Sequence, residues 1–339
     1  MIDTVRVRVG IVSWNTAELL DRCLSALPAA LGDLDASVVV VDNASADGSA
    51  DAGRRHAHCT VIENKENVGY AVAMNQALQH GAACDVLIAL NPDTAPPPGS
   101  LATLVGRLLD DPRAAVVVPR LANEDGSEQH SVYRFPSVAV ALVVAWCPVV
   151  MLRRGVGQRF WLEGWSDHEQ RVEVDWAIGA VHVLRSSALA GRAPYDERWF
   201  MYAEDLELCW RLARGGWRVR LEGDVSIPHV ANASGAQAWG RDRTVRWMIP
   251  TYQCYALVRG RAHARAWAIV NAAGLEWLRV KWRLLAALRP ERFGHLRAWA
   301  ADAGPALAIH RRVARRGVAA LEVLGGPQGP PKTASTVDR

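Results

Sequence analysis

Ser37-Val38-Val39-Val40-Val41-Asp42-Asn43-Ala44-Ser45-Ala46-Asp47-Gly48-Ser49 decides how the chain folds. An unbroken valine run suits a strand covered on both faces, because neither face meets water. The run stops at Asp42-Asn43, and the short polar residues after it read as a loop. Working outward, Val5 to Val12 alternates, turns wholly apolar and breaks at Ser13-Trp14-Asn15. Thr16-Ala17-Glu18-Leu19-Leu20 opens a helix leading to Leu24 and Leu27. Thr60 to Ile62 is a third strand, followed by a loop from Glu63 to Gly69 and a helix from Tyr70 to Leu78. Val86 to Leu90 is a fourth strand, ending in Asn91-Pro92-Asp93-Thr94, and Ala114 to Val118 is a fifth.

Strand alternating with helix predicts an α/β fold, a doubly wound and mostly parallel sheet. Ligands of such sheets sit outside the carboxyl ends of the strands. Ser13-Trp14-Asn15, Asp42-Asn43-Ala44-Ser45 and Asn91-Pro92-Asp93 all fall at such ends and should converge in space. No GxGxxG follows the first strand and no GxxxxGK[ST] occurs, which disfavours dinucleotide oxidoreductases and P-loop phosphotransferases. The pattern points instead to a nucleotide held by side chains and metal.

Gly126 to Gly164 yields only a loose assignment. Val172 to Arg185 resumes a strand through Gly179-Ala180, which serves either packing or close approach of backbone to a ligand. Phe200-Met201-Tyr202-Ala203-Glu204-Asp205-Leu206-Glu207-Leu208-Cys209-Trp210-Arg211 then places an acidic pair at the front of a helix that Gly215-Gly216 stops. Carboxylates in a first turn also complement the helix dipole, so a plain charged cap competes as the reading of Glu204-Asp205. Arg218 to Leu221 and Val225 to Ile227 read as short strands, the second ending at Pro228-His229.

Half of the 339 residues are hydrophobic, as a globular chain requires. No charged n-region with an apolar core opens the sequence, so export by signal peptide is not expected. Six cysteines are scattered without a CxxC pair, which suits a reducing compartment. The uncharged run from Phe135 to Leu152 contains Pro136 and Pro148 and falls short of the ~20 residues a spanning helix needs, so it reads as buried or interfacial. The net charge of +4 is a sum of unlike parts: residues 1–240 hold 21 Lys or Arg against 29 acids (−8), residues 241–339 hold 18 against 6 (+12).

Taken together, these segments resemble family 2 glycosyltransferases of the GT-A fold, the inverting kind that uses a nucleotide-diphosphate sugar. The resemblance is carried by Val9-Gly10-Ile11-Val12-Ser13-Trp14-Asn15, Val41 to Ser49, Glu66-Asn67-Val68-Gly69-Tyr70 and Ala89-Leu90-Asn91-Pro92-Asp93-Thr94. It continues through Trp176-Ala177-Ile178-Gly179-Ala180, Phe200 to Arg211, Gly216-Trp217 and His229, in the family's order. The Asn-Pro-Asp variant is similar to rhamnosyltransferases of cell-surface polysaccharide assembly, which implies dTDP-L-rhamnose as donor.

The resemblance implies roles. Asp93 would ligate Mg²⁺ or Mn²⁺ at the donor diphosphate, with His229 completing the metal shell or touching the diphosphate. Asn91 stands where the family has a first acid, and Mg²⁺ tolerates one or two carboxylates with phosphates and waters. Asp42 would accept hydrogen bonds from a pyrimidine base, with Ser13, Asn15, Asn43, Asn67, Gly69 and Asn91 forming the rest of the nucleotide site. Asp205 would be the base that deprotonates the acceptor hydroxyl, and Glu204 would orient the acceptor. Trp176, Trp199, Trp217 and Gly179 would face the sugar or acceptor, although each tryptophan equally suits a core. Asn91 also keeps open a non-catalytic sugar-nucleotide-binding or scaffolding protein of the same fold. Nucleotidyl transfer would want a Gly/Arg/Lys-rich loop in place of Ser13-Trp14-Asn15-Thr16.

The domain reading is a glycosyltransferase domain at 1–240, a basic and Trp-rich helical region at 241–324 and a disordered Pro/Gly-rich tail at 325–339. Pro250, Pro290 and Pro305 are expected to interrupt the helices. Basic residues interleaved with Trp247, Trp267, Trp277, Trp282 and Trp299 predict peripheral docking on the anionic inner face of the plasma membrane, where a cytoplasmic enzyme meets a glycan or polyprenyl-diphosphate-linked acceptor. Glu276, Arg279, Lys281 and Arg283 oppose spanning, and a soluble helical cap is the alternative. No nucleic-acid-reading motif accompanies the charge.

Overall fold

The computed structural model describes residues 5–146, 157–160, 169–230 and 243–321. The expected boundary at 240, the tail at 325–339, Cys147 and the end of the Phe135–Leu152 run lie outside these residues. The strands are β1 (Arg6–Ser13), β2 (Asp35–Asp42), β3 (Cys59–Glu63), β4 (Val86–Leu90), β5 (Ala114–Ala122), β6 (Glu128–Gln129), β7 (Val132–Tyr133), β8 (Arg171–Val174), β9 (Trp176–Ala177), β10 (Val181–Arg185) and β11 (Arg218–Pro228). Between them run α1 (Ala17–Leu31), α2 (Ser49–Arg54), α3 (Tyr70–Leu78), α4 (Ser100–Asp110), α5 (Val138–Trp146), α6 (Gly157–Phe160) and α7 (Glu204–Arg214). After them come α8 (Arg243–Arg259), α9 (Arg261–Leu288), α10 (Pro290–Phe293) and α11 (Leu296–Arg316).

A mixed sheet runs in the order β3-β2-β1-β4-β10-β5-β11-β8, with β6 paired to β5 as its ninth strand. β3, β2, β1 and β4 are parallel neighbours, as the buried valine runs predict. β10 enters antiparallel between β4 and β5, and β5 pairs parallel with β11. This insertion has a geometric result. The carboxyl end of β4 abuts the amino end of β10, with Leu90 opposite Val181 and the Asn91 N–H donating to Ala180 O.

Burial follows the sequence closely on both faces of the sheet. Leu20, Cys23, Leu24, Leu27 and Leu31 line the inner stripe of α1 at helical spacing. On the other face α3 packs so near β1 that a Cβ on Gly10 would lie 2.8 Å from Leu78 Cδ2. Val172 to Arg185 forms three short strands instead of one, and the two strands expected at 218–227 are a single β11 with register shifts. Pro250 and Pro305 sit inside α8 and α11, each at the cost of one helical hydrogen bond, and only Pro290 opens a new helix.

The helical region is not a separate layer. Trp199, Ala203, Leu206 and Trp210, around the start of α7, share a core with Met248, Ile249, Tyr252 and Tyr255 of α8 and with Ile309 and Val313 of α11. Phe135, Trp210 and Tyr255 stack in sequence, with centroids 4.9 and 5.8 Å apart.

Candidate active site

The parallel register brings the loops after β1, β2 and β4 to one edge of the sheet, where Ser13 lies opposite Asp42 and Ile11 opposite Leu90. β11 delivers His229 to the same edge through an isolated bridge to Thr94. The backbones are clipped there by Val230 N–H to Asp93 O (2.8 Å) and Ala95 N–H to Pro228 O (3.0 Å).

Asp93 and His229 are both buried, and His229 Nε2 lies 3.2 Å from Asp93 Oδ1. Neither atom has a hydrogen-bond partner, so two atoms able to ligate a cation face one another unsatisfied. His229 Nδ1 is 2.7 Å from Gln129 Oε1. An amide oxygen only accepts, so Nδ1 carries a proton, and Nε2 is the ring nitrogen that faces Asp93. Gln129 falls in the loosely assigned stretch, and nothing in the sequence marks it. The pairing of β6 with β5, Gln129 opposite Leu121, puts it beside the end of β11. This donor set fits a divalent cation. Among the described residues no group of three or more His, Cys, Asp or Glu forms a complete shell, so donor phosphates and water would have to fill the other positions.

The loops after β1 and β2 bind each other. Asn15 Oδ1 accepts from Ala46 N–H at 2.8 Å, and the Asn15 N–H donates to Ser45 Oγ at 3.0 Å. Ser13 is fully buried with its hydroxyl on Thr16. Asn43 donates to Asn67 Oδ1 and Gly69 O and accepts from Asn64 and Val68. Of these expected nucleotide residues, Asn15, Asn43 and Asn67 bond across to neighbouring loops, and Ser13 bonds within its own. Asp42 differs: Oδ2 takes the Ser45 N–H, while Oδ1 is buried without a partner.

Gly69, at φ +88°, abuts Phe200, whose carbonyl would lie 2.6 Å from a Cβ there, and the next N–H, of Tyr70, bonds that same carbonyl. The donor-side loop is therefore fastened to the segment leading into α7. Tyr202 and Ala203 precede α7 with φ of 66° and 70°, a left-handed pair that non-glycine residues seldom adopt. The cap residue, Ala203, makes no side-chain cap. Glu204-Asp205 therefore lie in the first turn, beginning one position past the cap.

Asp205 Oδ2 accepts from Gly179 N–H at 3.2 Å and Oδ1 from its neighbour Leu206 N–H at 2.7 Å. Tyr70 Oη donates to Gly179 O at 3.2 Å, so the Gly179 peptide is held from both sides. Burial pushes the Asp205 carboxyl up to about 6, outweighing the helix dipole and these N–H donors. Burial, then the charge of Asp205, lifts Glu204 well above the usual range, and Glu204 Oε2 has no hydrogen-bond partner. Burial and the charges of Glu204, Asp205 and Asp93 raise the Tyr70 phenol, so all three carboxylates lie within electrostatic reach of it.

Behind Tyr70, Tyr195 packs edge-on and bonds His182 Nδ1 at 3.2 Å, while His182 Nε2 faces Ala177 O. Burial drops His182 to about 4, and as a neutral ring it donates from Nε2 and accepts from Tyr195. Asn75 closes this network on the Tyr195 backbone.

The tryptophans divide. Trp176 stacks on Tyr133 at 4.7 Å and donates to Arg134 O, keeping part of its surface open. Trp199 is 4% exposed inside the shared core and offers no face to a sugar. Trp217 follows the far end of α7, about 15 Å along the helix from the acid pair, and packs on the sheet.

Residues 8–163 match the family model described as Glycosyl transferase family 2. That match ends before Glu204-Asp205 and His229. The N-acetylglucosaminyl-diphospho-decaprenol L-rhamnosyltransferase of Mycobacterium tuberculosis (strain ATCC 25618 / H37Rv) is 29% identical over 247 residues, covering 66% of this chain and 76% of that protein. The pre-mycofactocin glycosyltransferase of the same strain is 31% identical over 196 residues, 57% of this chain and 37% of that one. In structure the chain resembles the mannosyltransferase PcManGT from Pyrobaculum calidifontis, solved with GDP-Man and Mn2+, at a TM-score of 0.56 and 19% identity, covering 92% of this chain and 87% of that one. In family match, relatives and sheet, this chain is similar to rhamnosyltransferase-like family 2 glycosyltransferases of the GT-A fold.

Proposed function

We propose that the chain transfers L-rhamnose from dTDP-L-rhamnose, with inversion, to a hydroxyl of a lipid-linked glycan at the cytoplasmic face of the plasma membrane. One observation supports this above the rest: an elevated carboxylate and an unsatisfied Asp–His pair share the edge around Tyr70. The first could move a proton and the second could hold a diphosphate through a cation. The rhamnosyl donor and lipid-linked acceptor are suggested by the printed name of the mycobacterial relative.

In this reading Asp42 Oδ1 accepts the imide N–H of the pyrimidine, a partner it otherwise lacks. Asp93 and His229 would hold Mg²⁺ or Mn²⁺, which would supply positive charge to the donor diphosphate. Asp205 takes the acceptor hydroxyl's proton as that oxygen attacks the anomeric carbon and the bond to the diphosphate breaks on the opposite face. A base near 6 is mostly ionised at neutral pH yet basic enough to pull, close to the optimum for general-base work. Glu204, kept protonated by its burial and by Asp205, donates a hydrogen bond that orients the acceptor. Gly179 and Leu206 N–H fix the base and leave it only its outer lone pairs.

Calorimetric titration of dTDP-L-rhamnose into wild type and Asp93→Asn, each with Mn²⁺ and with EDTA, tests the donor site. Affinity should fall roughly tenfold or more on losing either metal or carboxylate, with little further loss on losing both. Equal affinity in all four titrations would remove the metal, and no binding of dTDP-L-rhamnose where GDP-mannose binds would remove the donor.

A further inference from the structure

α9 shows two unlike flanks. Ala264, Ala268 and Ala286 face inward, and Arg279 donates to Ala300 O, tying α9 to α11. On the other flank Trp277, Val280, Leu284 and Leu288 recur at spacings of three and four and stand 40–77% exposed, Leu288 most of all. Large apolar side chains in a continuous helical stripe are not the scattered exposure of an ordinary surface.

α5 extends this stripe. Its nine residues carry no charge, and it docks on α9 through a narrow seam, Ala145 against Gly274, where any side chain at 274 would collide with Ala145. Only Ala141 of α5 is buried, while Leu142 and Trp146, four residues apart, stand about half exposed. Trp146 stacks nearly parallel on Trp277 with centroids 6.3 Å apart, joining the two apolar faces. Lys281 and Arg283 flank the stripe on either side of α9, both exposed. No helix of the described residues is long and apolar enough to cross a membrane.

We propose that the joined outer face of α5 and α9 lies in the headgroup layer of an anionic phospholipid membrane, with Leu142, Trp146, Trp277, Val280, Leu284 and Leu288 toward the acyl chains and Lys281 and Arg283 on the phosphates. It sharpens the proposal of a lipid-linked acceptor, on which it rests, by naming the face that meets the lipid. Apolar ridge and basic flanks are what an in-plane helix needs. A second copy of this chain is the other occupant such a face could take. It fits less well, because each copy would bring Lys281 and Arg283 to the same interface with no acid in the stripe to meet them. The core region around them carries the chain's excess of positive charge, +12 over residues 241–339.

The assignment corrects two expectations. Trp267 packs against Tyr252 and Tyr255 and is no membrane anchor, and Trp282 with Trp299 lies on the α11 side of α9. Arg279 is a structural tie, so replacing it would not be a clean test of charge.

Full-length protein is floated with vesicles of phosphatidylcholine alone and with about one-third phosphatidylglycerol. Alongside wild type run Leu142→Gln/Leu284→Gln/Leu288→Gln and Lys281→Gln/Arg283→Gln, all at exposed positions, with donor affinity and thermal midpoint measured for each. Wild type should float on the anionic vesicles, the apolar variant should bind roughly tenfold more weakly, and the basic variant should lose the anionic preference. Donor binding and midpoint should stay at wild-type values. Apolar-variant binding equal to wild type would overturn the proposed face while leaving an electrostatic docking possible. A wild type that ignores the vesicles and sediments as a dimer, with the apolar variant monomeric, would assign the face to a second copy. Loss of donor binding in wild type itself would instead strike the proposed reaction.

Discussion

The sheet edge and the α5–α9 face leave opposite kinds of interaction unmet. At the edge, Asp42 Oδ1, Asp93 Oδ1, Glu204 Oε2 and His229 Nε2 are buried polar atoms without hydrogen-bond partners. On the α5–α9 face, apolar side chains stand in water. Each costs folding free energy, about 1–3 kcal/mol for an orphaned buried polar group and about 25 cal/mol per Å² for uncovered apolar surface. The difference teaches which ligand each region awaits: a polar, charged molecule at the edge and a lipid at the helices. Net charges of −8 for residues 1–240 and +12 for 241–339 divide along the same line.

The largest test is Asp205→Asn. Turnover should fall roughly 10²–10⁴-fold, the usual worth of a general base. Thermal stability should move the other way. A folded-state carboxyl raised to about 6 binds its proton more tightly than the unfolded chain does. Its charge therefore opposes folding increasingly as pH rises from about 4 to 6, and fully above that. Asparagine carries no charge, so the variant should gain on the order of 1–3 kcal/mol at pH 8 and nothing near pH 4. Wild-type kcat/KM should fall on the acid side with a midpoint near pH 6. An Asp205→Asn protein no more stable than wild type at pH 8 would break the contrast between edge and helices.

Gln129→Leu is next. Without its acceptor, His229 Nδ1 loses the bond that fixes the tautomer, and Mn²⁺ affinity in the presence of donor should drop about 10–100-fold. Gln129→Glu should restore it, since a carboxylate accepts the same proton. Unchanged Mn²⁺ affinity, read by electron paramagnetic resonance titration, would show that His229 does not serve a cation.

Ala203→Gly should have the smallest effect, a gain of about 1 kcal/mol from relief of its left-handed backbone. Ala190, at φ 51° and away from the site, is the control. If only the Ala190→Gly change stabilises, the strain before α7 is balanced by contacts with the shared core.

Much of the fold could be read because parallel strands buried on both sides write themselves as Val38 to Val41 or Val86 to Leu90. The stretch after Gly126 could not, since β6, β7 and β9 are two residues long and α5 has no polar face to give a period. The site divides for a related reason. Asp42, Asp93 and His229 reach one edge because strand ends converge, which topology dictates, whereas Asp205 is set beside them at a helix start through Gly179. Asn15, Asn43 and Asn67 have the same polar chemistry, but their bonds go to neighbouring loops, and sequence does not distinguish a loop partner from a ligand. Trp199 and Trp217 likewise looked like sugar platforms, and long-range packing decided otherwise.

The insertion of β10 between β4 and β5 has a consequence for synthesis. When β5 has left the ribosome, its place beside β4 is still waiting for residues 181–185, roughly 60 further along. At ordinary elongation rates that interval is roughly 3–12 s. Throughout it, β4 and β5 each present a hydrophobic edge ready to pair with any neighbouring strand. The nascent chain thus passes through a window in which a holding chaperone matters more than at any later point. A premature stop anywhere before β10 would release a fragment with the nucleotide loops in place and the middle of its sheet open.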